Sequence, residues 1–146
     1  MGTRFVRPET VTLQISEGDT LTVKKRLTSG EQRAAHARLY HANGDNGLKL
    51  NPLALGLAVV SAYLIDWSLT DANGIKVEIR NQPIEILEGA INDLEPESFD
   101  EIRQAIEDHE RAQAAARAEE KKLRAGARLS PSISGSPAVV VGGTNG

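Results

Sequence analysis

The chain contains no cysteine in its 146 residues, which removes disulfide stapling, thiolate metal sites and cysteine nucleophiles at once. Aromatic residues make up only 3%. A core must therefore be assembled from Leu, Ile, Val and Ala, and there is little to offer nucleic-acid bases as a stacking platform. A dominant charge is also lacking: the formal net charge is -3 and basic residues are interspersed with acidic ones, so no single-sign field selects a polyanionic partner. The longest apolar stretch, Leu53 to Ile65, falls short of the roughly 20 residues that a bilayer-crossing helix needs. The opening MGTRFVRPETV has no signal-peptide core, and Met1-Gly2 does not complete a myristoylation pattern because Val6 stands where Ser or Thr is required. The expectation is a soluble cytoplasmic protein with no nucleic-acid or membrane partner.

What is present is concentrated in one place. Asn51 to Ile79, NPLALGLAVVSAYLIDWSLTDANGIKVEI, holds the only tryptophan and the densest group of core formers. Asn51-Pro52 is an N-cap followed by a first-turn proline, opening an almost wholly apolar helix to about Asp66. Trp67 to Leu69 then reads as a strand returning through Thr70-Asp71-Ala72-Asn73-Gly74 to Ile75, Val77 and Ile79, a second short hairpin.

Upstream, Val11, Leu13, Ile15, Leu21 and Val23 alternate with polar residues as half-buried strands do, with Glu17-Gly18-Asp19 as the hairpin turn. Thr28 and Glu31 form a capping box that starts a helix to about His41 with a stripe of Ala34, Ala35, Leu39 and Ala42. Residues His41 to Asn51 read as a loop rich in Gly and Asn.

Downstream, Gln82-Pro83 starts a helix with Ile84, Leu87, Ile91 and Leu94 at helical spacing. Pro96 starts another with Phe99, Ile102 and Ile106 on one face. After Glu110 large apolar residues nearly vanish, although Ala with Glu, Lys and Arg still favours a helix. The Ser/Pro/Gly-rich end has no periodicity. The predicted fold class is α+β, a mainly helical small domain. Its organisation is an N-terminal arm (1–9), a folded domain (10–110), a solvent-exposed helical extension (111–125) and a flexible tail (126–146).

No residue pattern points to catalysis, a cofactor or a metal. His36 and His41 are five apart, off the i, i+4 spacing of helical zinc pairs, and His109 has only Glu and Asp near it in sequence, so all three read as surface histidines. The cluster Glu95, Glu97, Asp100 and Glu101 suits the positive end of a helix and lacks the EF-hand pattern. Asp45-Asn46-Gly47 and Asp71 to Gly74 are turns, Val141 to Thr144 is no phosphate loop, and Ser61 and Ser68 lie in no nucleophile elbow. Trp67 reads first as an anchor of a core poor in aromatics, and second as an interface hot spot. The expectation is a protein that is not an enzyme.

Three segments carry a family resemblance: Lys25 to Glu31 (KRLTSGE), Tyr63 to Gly74 (YLIDWSLTDANG) and Ile91 to Ile102 (INDLEPESFDEI). Across about Val23 to Glu110 this layout resembles the tail assembly chaperones of long-tailed, siphovirus-like bacteriophages. The resemblance implies a non-enzymatic protein of virion morphogenesis that binds the tape measure protein in the host cytoplasm and recruits tail tube protein, often with a longer frameshifted product. It leaves a homo-oligomer open. Read this way, the apolar central helix lends its face to the partner, with Leu57, Val60, Tyr63, Leu64 and Trp67 as the partner-binding candidates. The competing expectation is a structural virion protein: a head-tail connector, or a tail or capsid-associated component.

Overall fold

The computed structural model describes residues 4–42, 48–50 and 54–134. The chain divides into two units, Met1–Glu110 and Arg111–Gly146. The first carries an α+β fold in the order β1 (Thr10–Gln14), β2 (Thr20–Lys24), α1 (Ser29–Ala37), β3 (Tyr40–Ala42), β4 (Leu48–Leu50), α2 (Leu55–Tyr63), β5 (Leu64–Trp67), α3 (Ile84–Asn92) and the start of α4 (Pro96–Ser134).

The predicted N-terminal hairpin is present. β1 and β2 pair antiparallel with Val11 opposite Val23 and Leu13 opposite Leu21. Their turn is a short 3-10 segment in which Glu17 and Gly18 both have positive φ, 60° and 78°. The strand that completes this sheet begins earlier than the one expected at Trp67 to Leu69 and has a different partner. β5 lies on the other side of β2, in the order β1-β2-β5. Leu64 to Trp67 continues the apolar run of the helix, so periodicity alone extends the helix to Asp66; pairing with β2 ends it at Tyr63 instead. A bulge skips Ile65, so Leu64 opposes Val23 while Asp66 opposes Thr22 and Trp67 opposes Leu21. Strand side chains alternate between faces, and one extra residue resets the alternation. Leu64 and Trp67, three apart, thereby both enter the core.

The second hairpin is a short return loop: Trp67 itself pairs with β2, while Thr70 and Lys76 form a bridge flanked by hydrogen bonds from the Asp71 N–H to the Ile75 carbonyl (2.8 Å) and from the Val77 N–H to the Leu69 carbonyl (3.0 Å). Its turn is built as the sequence suggests: the Asp71 carboxylate accepts from the N–H groups of Asn73 (2.8 Å) and Ile75 (3.0 Å), and Gly74 takes φ of 78°. Of the three alternating residues, Ile79 is buried and Val77 half-buried, whereas Ile75 is 63% exposed.

The region from His41 to Asn51 is not simply a loop. β3 and β4 form a two-stranded antiparallel ladder, Tyr40 opposite Leu50 and Ala42 opposite Leu48, and α1 accordingly ends at Ala37, four residues early. Three-residue strands give too little alternation to be read, although an Asn-Gly pair between them is a hairpin signal. The proposed N-cap Asn51 and Pro52, like Asp45-Asn46-Gly47, lie outside the described residues.

α3 begins just after Pro83, as expected, and buries Leu87 and Ile91. α4 buries Ile102, Ile106 and also His109. Among the described residues, Leu87, Ile91, Ile102 and Ile106 meet Leu21, Val23, Leu27, Val60, Tyr63, Leu64, Trp67 and Ile79 in the core cluster. In the second unit the residues from Arg111 to Gly126 are exposed or half-exposed. The helix continues beyond Gly126 to Ser134; the rest of the expected tail, 135–146, lies outside the described residues.

Candidate partner-binding site

The five residues selected as partner-binding candidates are mostly interior. Val60, Tyr63, Leu64 and Trp67 are at most 5% exposed, and Leu57 is half-buried. The apolarity that marked them as an interface marks a core equally well. Trp67 occupies the anchor position: its indole N–H donates to the Val77 carbonyl at 2.8 Å, holding the return loop against β5.

α2 meets α4 and α1 in different ways. Toward α4 the approach is close at Gly56, where a Cβ would stand 2.8 Å from Arg103 Cδ and 3.2 Å from the Phe99 ring. Toward α1 the contact is loose. No residue of α1 is buried, and cavities of about 250 Å³ and 290 Å³ share Ala35, Ala58 and Ala62 in their walls. The larger is a groove walled by Leu27, Leu39, Val59 and Tyr63, with Gln32, His36 and Glu110 also lining it.

Polar contacts hold α1 in place. Thr28 accepts from the Glu31 N–H and Glu31 accepts from the Thr28 N–H, the predicted capping box. The other Glu31 oxygen receives Lys24 Nζ at 2.6 Å. Partial burial opposes ionisation of Glu31, but the Lys24 ammonium and the Thr28 donors outweigh it and hold the carboxyl below its ordinary range. Just past the other end of α1, Arg38 pairs with Glu88 of α3, and the buried Glu88 Oε2 has no hydrogen-bond partner apart from that ion pair.

At the floor of the groove the Tyr63 hydroxyl donates to Glu110 at 3.1 Å. The ring packs edge-on against His109, with centroids 5.9 Å apart. His109 is thus no surface histidine. Its Nε2 lies 3.1 Å from the carbonyl oxygens of both Lys24 and Lys25, and since carbonyls only accept, that nitrogen carries the hydrogen. His36 is exposed, as expected, and the side chain of His41 is not described.

Asp66 and Glu101 have scaffold partners. Asp66 accepts from the Trp67 N–H (2.9 Å) and faces Lys76 and Arg80; burial works against its charge, but these donors keep its carboxyl below the usual range. From the acidic cluster, Glu101 receives both the backbone N–H (2.6 Å) and the hydroxyl (2.8 Å) of Ser16, tying the β1–β2 turn to α4. No group of three or more side chains suited to a metal ion occurs among the described residues. Among them no helix is long and apolar enough to cross a membrane.

No family model, curated protein or solved structure matches the chain. The motif residues themselves have evident structural jobs: Leu27, Thr28 and Glu31 seat and cap α1, Tyr63 to Gly74 build the end of α2, β5 and its turn, and Ile91 to Ile102 join α3 to α4. Leu27, Ala35, Leu39, Ala58, Val59 and Ala62, the remaining apolar groove walls, were not among the predicted site residues. The signal for Ala35 and Leu39 was faint, a stripe of mostly small residues with Leu39 as its one large side chain.

Proposed function

We propose that this chain is a non-enzymatic tail assembly chaperone of a long-tailed bacteriophage, which holds an apolar helical segment of the tape measure protein before the tail tube polymerises around it. The reading rests on the resemblance of Lys25–Glu31, Tyr63–Gly74 and Ile91–Ile102 to that family. The observation that carries it is the groove of about 290 Å³ between α1 and α2, lined by Leu27, Leu39, Val59 and Ala62. A partner helix laying small or aliphatic side chains into such a groove uses a general mode of recognition, an apolar stripe docked between two helices. In this reading the protein acts in the host cytoplasm, and its substrate is a folding and assembly intermediate.

Co-expression with the tape measure protein of the same phage tests the proposal. The expected result is a soluble complex, with Ala62→Arg, which fills the groove with charge, abolishing both capture and solubility of the partner. A tape measure protein that stays insoluble and unbound would sink it, and recovery of this chain at stoichiometric copy number from purified virions would favour a structural virion component instead.

A further inference from the structure

We propose that two copies of this chain join edge to edge through β1, antiparallel about a two-fold axis centred on Thr12. The backbone groups of an antiparallel strand alternate in pairs between its two sides. Ile15 N–H donates to the Asp19 carbonyl (3.0 Å) and the Glu9 carbonyl accepts from Lys25 N–H (2.9 Å), so the odd-numbered residues of this stretch face β2. The N–H and C=O groups of Thr10, Thr12 and Gln14 therefore point away from the sheet, on a side where no strand pairs with β1 among the described residues.

Open edges are ordinarily blunted by charge, by proline or by a covering segment. The other edge of this sheet has such protection: β5 carries Asp66 with Lys76 and Arg80 beside it, and the return loop folds back through the Trp67–Val77 hydrogen bond. β1, with the sequence TVTLQ, has neither a charge nor a proline.

A second copy fits this edge in three respects. Pairing about Thr12 sets Thr12 opposite itself and Thr10 opposite Gln14 of the second copy, so every outward N–H and C=O of these residues finds a partner. Val11 and Leu13, half-buried at the rim of the core, become cross-strand neighbours of Leu13 and Val11 of the second copy, in the closely spaced non-hydrogen-bonded position. Arg7 before the strand and Glu17 after it are both exposed, and the same axis brings Arg7 of each copy toward Glu17 of the other. Self-pairing opposes no like charges within the strand. The association is a property of the β1 edge and does not depend on the chaperone reading.

The test is sedimentation equilibrium of the full chain over a concentration series, with amide exchange read at Thr10, Thr12 and Gln14. A monomer–dimer equilibrium is expected, with those three amides slowing as dimer accumulates. Thr12→Lys places two ammonium groups opposite one another and should weaken the dimer by about tenfold or more. Its monomer should melt normally, because Thr12 is exposed. Thr12→Pro, which removes an outward N–H and no β1–β2 bond, should give the same result. Arg7→Glu and Glu17→Arg should each weaken the dimer, and the double variant should restore it. A chain that stays monomeric throughout, or a dimer indifferent to Thr12→Lys, overturns the proposal. So does protection of these amides only by an extended segment of another protein.

Discussion

α2 is packed in opposite ways toward α4 and toward α1. Toward α4 and the sheet it contributes Val60 and Tyr63 to one continuous core, and at Gly56 the helices come so close that a methyl group would meet Phe99 and Arg103. Toward α1 it presents Ala58, Ser61 and Ala62 to a helix with no buried residue, flanked by two cavities and held by a cap and two ion pairs. Apolar burial resists local opening, whereas partly exposed ion pairs contribute little and are screened by salt. Stability and adaptability are thus placed on separate sides of one short helix.

The largest effect should come from the core side. Trp67→Ala removes a side chain only 3% exposed, together with its bond to Val77, and should cost about 3–5 kcal/mol in denaturant unfolding. A normal unfolding curve would show that Trp67 serves a partner and that the core side of α2 does not carry the stability.

Arg38→Ala attacks the other side. It strips the buried Glu88 oxygen of its counter-charge and should cost about 1–2 kcal/mol of stability, since a carboxylate left unpaired pays only part of its desolvation where some solvent remains. The sharper readout is local. Amide exchange of α1 should accelerate while that of α3 and α4 hardly changes, and Glu88→Gln in the same chain should restore part of the loss. Equal acceleration in every helix would mean that α1 opens only when the whole domain unfolds.

How far this division was legible in the sequence depends on the range of the contact. The β1–β2 hairpin, the Thr28–Glu31 capping box and the Asp71 turn are local patterns, and each is found where alternation or capping chemistry put it. β5 was hidden because Leu64 and Ile65 extend the apolar run of α2, and only a partner more than forty residues away in sequence, β2, decides between helix and strand. His109 reads as a surface residue for the same reason: its partners are the carbonyls of Lys24 and Lys25, 85 and 84 residues distant. The groove was less legible still. Apolarity pointed to Val60, Tyr63, Leu64 and Trp67, which are core, whereas the walls formed by Leu39, Val59 and Ala62 lie where α1 happens to rest.

Gly56→Ala probes the tight contact from the overpacked side. Alanine favours a helix over glycine by up to about 1 kcal/mol, but its Cβ at 2.8 Å from Arg103 and 3.2 Å from Phe99 forces a shift that typically costs about 1–3 kcal/mol. A net loss of about 1 kcal/mol is expected in thermal or denaturant unfolding. A gain would place the tight packing elsewhere.

Acid should act first on the polar fastenings. Glu31 and Asp66 both have carboxyls held below their ordinary range in the folded state. The stability they add is therefore fully present above the unfolded value, about pH 4, and is lost as pH falls through the lower folded values. A pH titration followed by NMR should show α1 and the return loop shifting below about pH 4 before the core does, and Glu31→Gln should flatten the α1 response. Simultaneous loss of all elements would erase the distinction between the two sides of α2.

The smallest effect is expected outside the comparison altogether. Among the described side chains of α4 the last buried one is His109, and from Arg111 to Gly126 none is buried. A chain stopped after Gly126 keeps every residue of the core cluster. Its unfolding midpoint and the α1 exchange rates should match those of the full chain within about 0.5 kcal/mol, as for surface changes away from packed features. A larger drop would mean that the residues after Gly126 support the folded unit, and that the core does not end at His109.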